Sequence, residues 1–360
     1  MSKPYKHSTQ QYTVFSVKND VTRSTEKSNI VSLFSGCGGL DLGFERAGFN
    51  VMWANEYDKD IWDTYRLNHK ETILDTRSIT DIPADEVPEC DGIIGGPPCQ
   101  SWSEGGSKRG LDDKRGQLFW DYIRILDAKS PKFFVAENVK GMLMSRYGDA
   151  VDNFKKAFSE AGKYGYDIYF QLVNAADYNV PEDRQRVLFI GFRKDLNIEF
   201  KFPSPTTPIG HRVTLRNAIG DLADKTPKGF RNGINNNDDW NKEIPNHDYL
   251  LGGFSSIYLS RNRTRGWDEV SFTIQASGRQ APIHPQAPKM IKVNTDKHIF
   301  VPGKEHLYRR VSVREAARIQ TFPDDFIFRY KNITTGYKMV GNAVPVNLAF
   351  VVAEVINKLI

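Results

Sequence analysis

Residues 29–48 read NIVSLFSGCGGLDLGFERAG. An apolar run from Ile30 to Phe34 ends in Ser35-Gly36-Cys37-Gly38-Gly39. Leu40, Gly43, Phe44 and Ala47 then recur at helical spacing until Gly48 closes the helix. The order is strand, glycine turn, helix, and it repeats. Val51–Ala54 is a second strand, followed by a helical stretch at Lys59–Asn68. Gly92-Ile93-Ile94 runs into Gly95-Gly96-Pro97-Pro98 and a helix around Leu118–Leu126. Phe133–Ala136 precedes a helix around Ala150–Ala161. Strands alternating with helices at this spacing predict a mostly parallel α/β sheet. Ile168–Val173 and Val187–Phe192 are joined without a helix, which predicts an antiparallel pair at one end of it.

The chain has 360 residues, sized for one large domain and a smaller one. From about Pro203 the character changes. Residues 204–310 are rich in Asn, Gly, Pro, Arg and Ser, with short apolar runs and no clear helix, so a small irregular β-containing unit is expected at 203–310. Helical spacing returns at Ser312 and ends in an apolar helix at Val346–Ile360. Residues 1–28 are polar and without period, as in a flexible arm. No run of 18 apolar residues exists, and MSKPYKHSTQQYTVF lacks the core of a secretory signal. No membrane and a cytoplasmic location are therefore expected. Three cysteines, Cys37, Cys90 and Cys99, argue against a disulfide scaffold, and the absence of CxxC and HExxH argues against a zinc site.

The net charge of +5 says little by itself. Its distribution says more. Residues 29–200 carry 21 basic and 28 acidic side chains, whereas residues 201–310 carry 17 and 10. One internal segment is basic beside an acidic body, the balance of a module that meets a polyanion.

The first glycine turn lacks both the GxGxxG spacing and the Gly-Lys-Ser/Thr of a phosphate loop. By itself such a turn is as often a bare strand–helix connection as a ligand cradle. With Glu56 ending the second strand, 20 residues after Gly36, ligand binding becomes the better reading, because a carboxylate there suits a pair of ribose hydroxyls. Gly95-Gly96-Pro97-Pro98-Cys99-Gln100 lies where a parallel strand ends, the edge at which open α/β sheets bind ligands. Two prolines stiffen that loop and aim the Cys99 thiol, which then has the access a nucleophile needs. Cys37 and Cys90 fit the commoner fate of cysteine, burial. Glu137 and Asn138 end the next strand on the same edge. Arg184 and Arg186 precede Val187–Phe192, and at i, i+2 both should face that edge. The alternative is a surface ion pair with Glu182 or Asp183.

Taken in order, FSGCGGLDLGFERAGF, GGPPCQSWS, FFVAENVKGM, EDRQRVLFIGF, RRVSVREAARIQTFP and GNAVPVN resemble the blocks of the cytosine-5 DNA methyltransferases across residues 30–360. The stretch 257–292, with SRNRTRGWDEVSFTIQASGRQAPIHPQAP, is similar to bacterial restriction–modification methyltransferases that recognise GGCC. The resemblance implies a Rossmann-like methyltransferase domain at 29–202 and 311–360, a target-recognition domain at 203–310, and S-adenosylmethionine as cofactor. Phe34, Gly36, Gly38, Gly39 and Leu40 would line the cofactor, Glu56 would take its ribose, Tyr57 would lie near its adenine, and Leu118 with Asn342-Ala343-Val344 would complete the pocket. Many members carry an Asp after the third strand to meet the adenine amine. Here Ser78-Ile79 stand in that place.

The same resemblance makes Cys99 the nucleophile at C6 of cytosine. It gives Glu137 the N3 edge and the amine, Arg186 the O2 atom with Arg184 nearby, and Asn138 the support of Glu137. Duplex DNA is the implied partner, the target base must leave the helix to react, and no metal is needed. Arg261, Arg263, Arg265, Arg279 and Gln280 are the candidate DNA contacts. Arginine reads guanine bidentately, but phosphate takes half or more of protein–DNA hydrogen bonds, and both roles stay open for each of them. The family further implies a monomer, alongside a restriction endonuclease that acts on the same site without direct contact. A transfer-RNA cytosine methyltransferase and a silent DNA-binding homologue are the alternatives. The retention of Cys99, Glu137 and Arg186 speaks against the second.

Overall fold

Strand β1 (Asn29–Leu33) enters the glycine turn and helix α1 (Gly39–Arg46) leaves it. Between them Gly38 sits at φ 88°, and a Cβ there would stand 2.0 Å from Nε2 of His69, so conformation and space both require glycine. The structure is a computed structural model that describes residues 27–98, 114–143, 148–231 and 243–360. The expected arm at 1–28 therefore lies almost wholly outside the described residues.

The chain continues through β2 (Asn50–Asn55), α2 (Trp62–Asn68), β3 (Ile73–Asp75), β4 (Gly92–Gly95), α3 (Lys114–Lys129), β5 (Phe133–Val139), α4 (Gly148–Glu160), β6 (Tyr166–Asn174), β7 (Glu182–Asp183) and β8 (Gln185–Arg193). Seven strands form one sheet in the order β3-β2-β1-β4-β5-β8-β6. The pairs from β3 to β5 are parallel, and β8 runs antiparallel to both β5 and β6. The expected antiparallel pair is β6 with β8, and β8 inserts between β5 and β6, leaving β6 on the edge. That insertion sets Arg186 opposite Val139, at the end of β5. The direction of winding reverses between β1 and β4, so a crevice opens beyond their carboxyl ends.

The apolar runs are continuous because both faces of the sheet are covered. Ile30 and Phe133 point into one layer with Phe44, Ile190, Leu348 and Val352. Val31 and Phe134 point into the other, with Phe119, Tyr122, Phe158 and Phe189. The first layer depends on the return of the chain. After α6 (Val313–Ile319), helices α7 (Ile333–Asn342) and α8 (Val346–Asn357) come back to the sheet, and α8 lies on α1. A Cβ at Gly43 would be 2.3 Å from that of Ala349, so the two helices meet backbone to backbone. Residues 333–357 are long and apolar enough in composition to cross a membrane. They form two helices broken before Pro345, and their apolar faces lie in the core.

Residues 203–310 hold the short strands β9 (Lys228–Phe230), β10 (Asp248–Leu250), β11 (Ser271–Phe272), β12 (Ile291–Asn294) and β13 (Lys297–Ile299). One short helix not expected from the sequence, α5 (Leu215–Ile219), begins behind a Thr214–Asn217 capping box. A small cluster of Tyr258, Ile283, Ala287, Met290 and Tyr308 closes within this segment. Leu215, Ile219, Leu250, Ile274 and Ala281 instead share a core with α6 and α7.

Candidate active site

A cavity of about 760 Å3 occupies the crevice at the ends of β1, β2 and β4. Phe34, Gly36, Gly39, Leu40 and Glu56 line one wall, and Asn342, Ala343 and Val344 the other. Phe34 is held in the left-handed region at φ 55°, a conformation that costs a bulky residue energy and that turns the chain sharply out of β1. Gly36 follows at φ 57°, and a Cβ there would meet no atom within 4 Å, so the glycine leaves the wall open for a close-fitting ligand. Glu56 is fixed by two backbone donors. Its Oε2 accepts the Gly36 N–H at 2.8 Å and its Oε1 the Asp58 N–H at 2.7 Å. Burial pushes its carboxyl up from the ordinary range, and these two bonds pull against that. Across the mouth, Lys338 of α7 pairs with Asp58, and both line the cavity. Neither stood out in the sequence, because the two halves of this pair are 280 positions apart.

The cavity continues to the ends of β4 and β5, where Gly95, Gly96, Pro97, Pro98, Glu137 and Asn138 line it. Arg186 Nε lies 2.7 Å from Glu137 Oε1, with both side chains 13% exposed. Asn138 donates from Nδ2 to the Pro97 carbonyl at 3.0 Å, which ties the proline loop to the strand bearing Glu137. Cys99 lies outside the described residues, as do residues 100–113. Beside Arg186 a second, open hollow of about 410 Å3 is lined by Lys140, Gln185 and Thr273. Lys140 Nζ donates to Gln185 Oε1 at 2.6 Å. Its place directly after Glu137-Asn138-Val139 was the available sequence signal for it.

Several expected residues sit elsewhere. Gly38 faces His69 and does not line the cavity. Tyr57 is 71% exposed outside the lining. Ser78 Oγ bonds Thr80, and Ile79 is buried with its carbonyl taken by Arg124. Leu118 packs into the layer beneath α3. The largest correction concerns Arg184. Its backbone N–H donates to the Glu182 carbonyl in a tight turn between β7 and β8, so strand alternation fails there. The side chain turns inward, is 1% exposed, and does not reach the Glu137–Arg186 pair. Its partner is Glu182, in a buried pair and not a surface one.

The candidate DNA arginines also divide. Arg261 and Arg279 are exposed. Arg263 is buried, donating to the Tyr258 carbonyl at 3.1 Å and to Gln280 Oε1 at 3.3 Å. Arg265 pairs with Glu269 and lies over the Phe272 ring. Ile283 bridges Thr264 on one side and Arg310 on the other, and this strip is anchored to α6 by Glu315. Arg309 pairs with both Glu315 oxygens at 2.7 Å, and the Ser312 N–H donates to Oε2. The neighbouring His284 ring lies 3.5 Å from Oε1. Burial alone would raise the Glu315 carboxyl, but the Arg309 pair outweighs it and holds it at about 2. A depressed carboxyl stabilises the fold above its unfolded value of about 4.3 and loses that contribution as pH falls towards 2. Glu315→Gln is therefore expected to cost about 3 kcal/mol at pH 7 and much less near pH 3. Urea denaturation at the two pH values measures this, and an equal loss at both would refute it.

The sequence pattern of the C-5 cytosine-specific DNA methylases matches residues 28–358. The chain belongs to this family. It is a DNA cytosine-5 methyltransferase of the type II restriction–modification class. It is 55% identical over 330 residues to the type II methyltransferase M.FnuDI of Fusobacterium nucleatum, covering 91% of this chain and 94% of that one. It is 53% identical over 344 residues to M.NgoPII of Neisseria gonorrhoeae, covering 95% and 99%. A solved structure described as a DNA modification methyltransferase encoded within an E. coli prophage superposes with a TM-score of 0.69 at 25% identity, covering 92% and 99%. The S. pombe Dnmt2 methyltransferase shares the fold, with a TM-score of 0.60 at 17% identity over 92% of this chain and 99% of that one. Enzymes of this family generally take the methyl group from S-adenosylmethionine.

Proposed function

We propose that the methyltransferase modifies carbon 5 of a cytosine flipped out of the duplex site GGCC, through a covalent adduct with Cys99. Glu137, which lines the same cavity as the proline loop and the glycine turn and is ion-paired with Arg186, carries this reading. Phe34, Gly36, Gly39, Leu40, Glu56 and Asn342-Ala343-Val344 would hold S-adenosylmethionine, with Glu56 on its ribose. When bound, that cofactor supplies an electrophilic methyl group. Carbon 5 of cytosine is too weak a nucleophile to take it unaided. The Cys99 thiolate adds to C6, Glu137 delivers a proton to N3 and holds the amine, and Arg186 holds O2. The enamine so formed attacks from C5. Loss of the C5 proton to a base then expels Cys99 as the thiolate, and return of the N3 proton to Glu137 restores the neutral ring. Extrusion of the base costs a few kcal/mol, supplied by contacts to the DNA.

We assign residues 203–310 to target recognition, and the exposed pair Arg261 and Arg279 to the DNA. The GGCC assignment rests on the 257–292 resemblance, and a monomer acting beside an endonuclease of the same specificity completes the proposal. Bisulfite sequencing of plasmid from cells expressing the protein tests it. One cytosine of each GGCC should be protected, and the plasmid should resist an endonuclease that GGCC methylation blocks. Cleavage of that plasmid would refute the site.

The two exposed arginines can be sorted by one measurement. If Arg279 reads a guanine edge, Arg279→Ala should lower discrimination against a changed base by about 1–3 kcal/mol. If it holds phosphate, binding weakens equally on every sequence and the salt slope falls by about 0.9. We expect base reading at Arg279, whose segment packs against α7. A uniform loss across sequences would contradict it.

A further inference from the structure

Arg184 is the largest fully buried side chain of the described residues with a formal charge beside Arg314, and nothing in the methyl-transfer steps uses it. Its guanidinium reaches three carbonyls from two distant segments. One nitrogen donates to Ile274 at 3.0 Å, and the other to Gly341 at 2.8 Å and Ala343 at 2.9 Å. Glu182 Oε1 lies 3.4 Å away and itself accepts the Ile274 N–H at 2.6 Å. Two further contacts close the same junction. Thr273 Oγ1 donates to the Asp183 carbonyl at 2.6 Å, alongside the parallel pairing of β11 with β7. The segment after it presses on α7 so closely that a Cβ at Gly341 would stand 2.3 Å from the carbonyl carbon of Gln275.

Each of the three segments leads to a different part of the enzyme. Residues 341–343 run directly into the turn whose Asn342, Ala343 and Val344 line the cofactor wall. Residues 271–276 run directly into Ser277-Gly278-Arg279-Gln280. Residue 184 stands two positions before Arg186, which grips Glu137. We infer that Arg184 is a positioning residue that fixes the cofactor turn and the recognition segment against the strand carrying the base-holding Arg186. This rests on the function proposed above. An arginine suits the place because its planar fork presents five N–H donors in fixed directions towards acceptors on two segments, whereas a lysine ammonium offers three donors from one point on a flexible stem. Burial lowers the guanidinium to about 10, so it stays charged at neutral pH and keeps all its donors.

A residue in this place should couple two properties it does not touch. Arg184→Lys keeps the charge opposite Glu182 but loses the fork. It is expected to weaken S-adenosylmethionine binding about tenfold, by equilibrium dialysis, and to lower discrimination between GGCC and a one-base variant by about the same factor. Arg186→Lys should instead lower kcat and leave cofactor affinity within about twofold. A folded Arg184→Lys enzyme, with a cooperative melt, in which neither or only one of the two properties moves would overturn the inference. Should Arg184→Lys fail to fold, Thr273→Val loosens the same junction from its half-buried side. It should shift both properties together by about threefold, and no joint shift would be decisive against. If the wild type leaves GGCC unmodified, the proposed site fails, while the cofactor-binding measurement still reports on Arg184.

Discussion

Replacing Cys99 with serine is expected to abolish methyl transfer while duplex binding survives. The reaction needs an anionic nucleophile at C6, and a hydroxyl is almost fully protonated where a thiol can be ionised. The loss should reach at least about 10^3-fold in kcat, the scale seen when an enzyme loses its nucleophile. The other two cysteines cannot stand in. Cys37 is buried at the α7 contact, where burial pushes its thiol far up, and its Sγ faces the Met339 carbonyl. Burial and the nearby Glu89 and Asp91 push Cys90 up to about 12. The described residues that lead to Cys99, Gly96 to Pro98, follow β4 directly and are tied to β5 by the Asn138 bond to the Pro97 carbonyl. Transfer of labelled methyl groups and a gel-shift titration separate the two effects. Turnover by the serine enzyme within about tenfold of wild type would rule out the covalent route.

Glu137→Gln should lower kcat by about 10^2–10^4-fold, the range expected for loss of a positioned proton donor. The amide keeps the shape of the carboxyl and its contact with the amine edge of the base. It removes the proton for N3, and it leaves Arg186 without the charge that now fixes its Nε at 2.7 Å. The effect should fall on the chemical step, because the cofactor wall is built from the glycine turn and α7. Single-turnover rates and cofactor titration of the same variant make the test. A single-turnover rate within about threefold of wild type would remove Glu137 from the chemistry.

The parallel half of the fold could be read directly, since strands buried on both faces leave unbroken apolar runs bounded by glycine turns. The three-residue β3 could not, because so short a strand shows no period. The insertion of β8 between β5 and β6 follows from pairing across the whole sheet, which local spacing does not encode. Glu137 and Arg186 were found because their place at strand ends fixes where they emerge. Arg184 looked equivalent to Arg186 two positions away. One backbone bond to Glu182 breaks the alternation and sends it inward instead. Arg261 and Arg263 differ for a similar reason. The carbonyl of Tyr258 and the amide of Gln280 are waiting for only one of them. Tyr57, Ser78, Ile79 and Leu118 came from the family resemblance and not from spacing, and the described cavity is lined without them.

The far wall of the cavity has a consequence for how the enzyme is made. Cys37 meets the carbonyl of Met339 across 302 positions, and every residue of that wall belongs to the last part of the chain to be synthesised. At about 5–20 residues per second, a ribosome needs some 15–60 s to travel from the glycine turn to its partner. During that interval the sheet can begin to form, but nothing closes over its crevice. Contacts of such long range also slow the final folding step. A nascent chain therefore emerges with the glycine turn and the ends of β1, β2 and β4 in hand and without the wall that α7 and the residues after it supply.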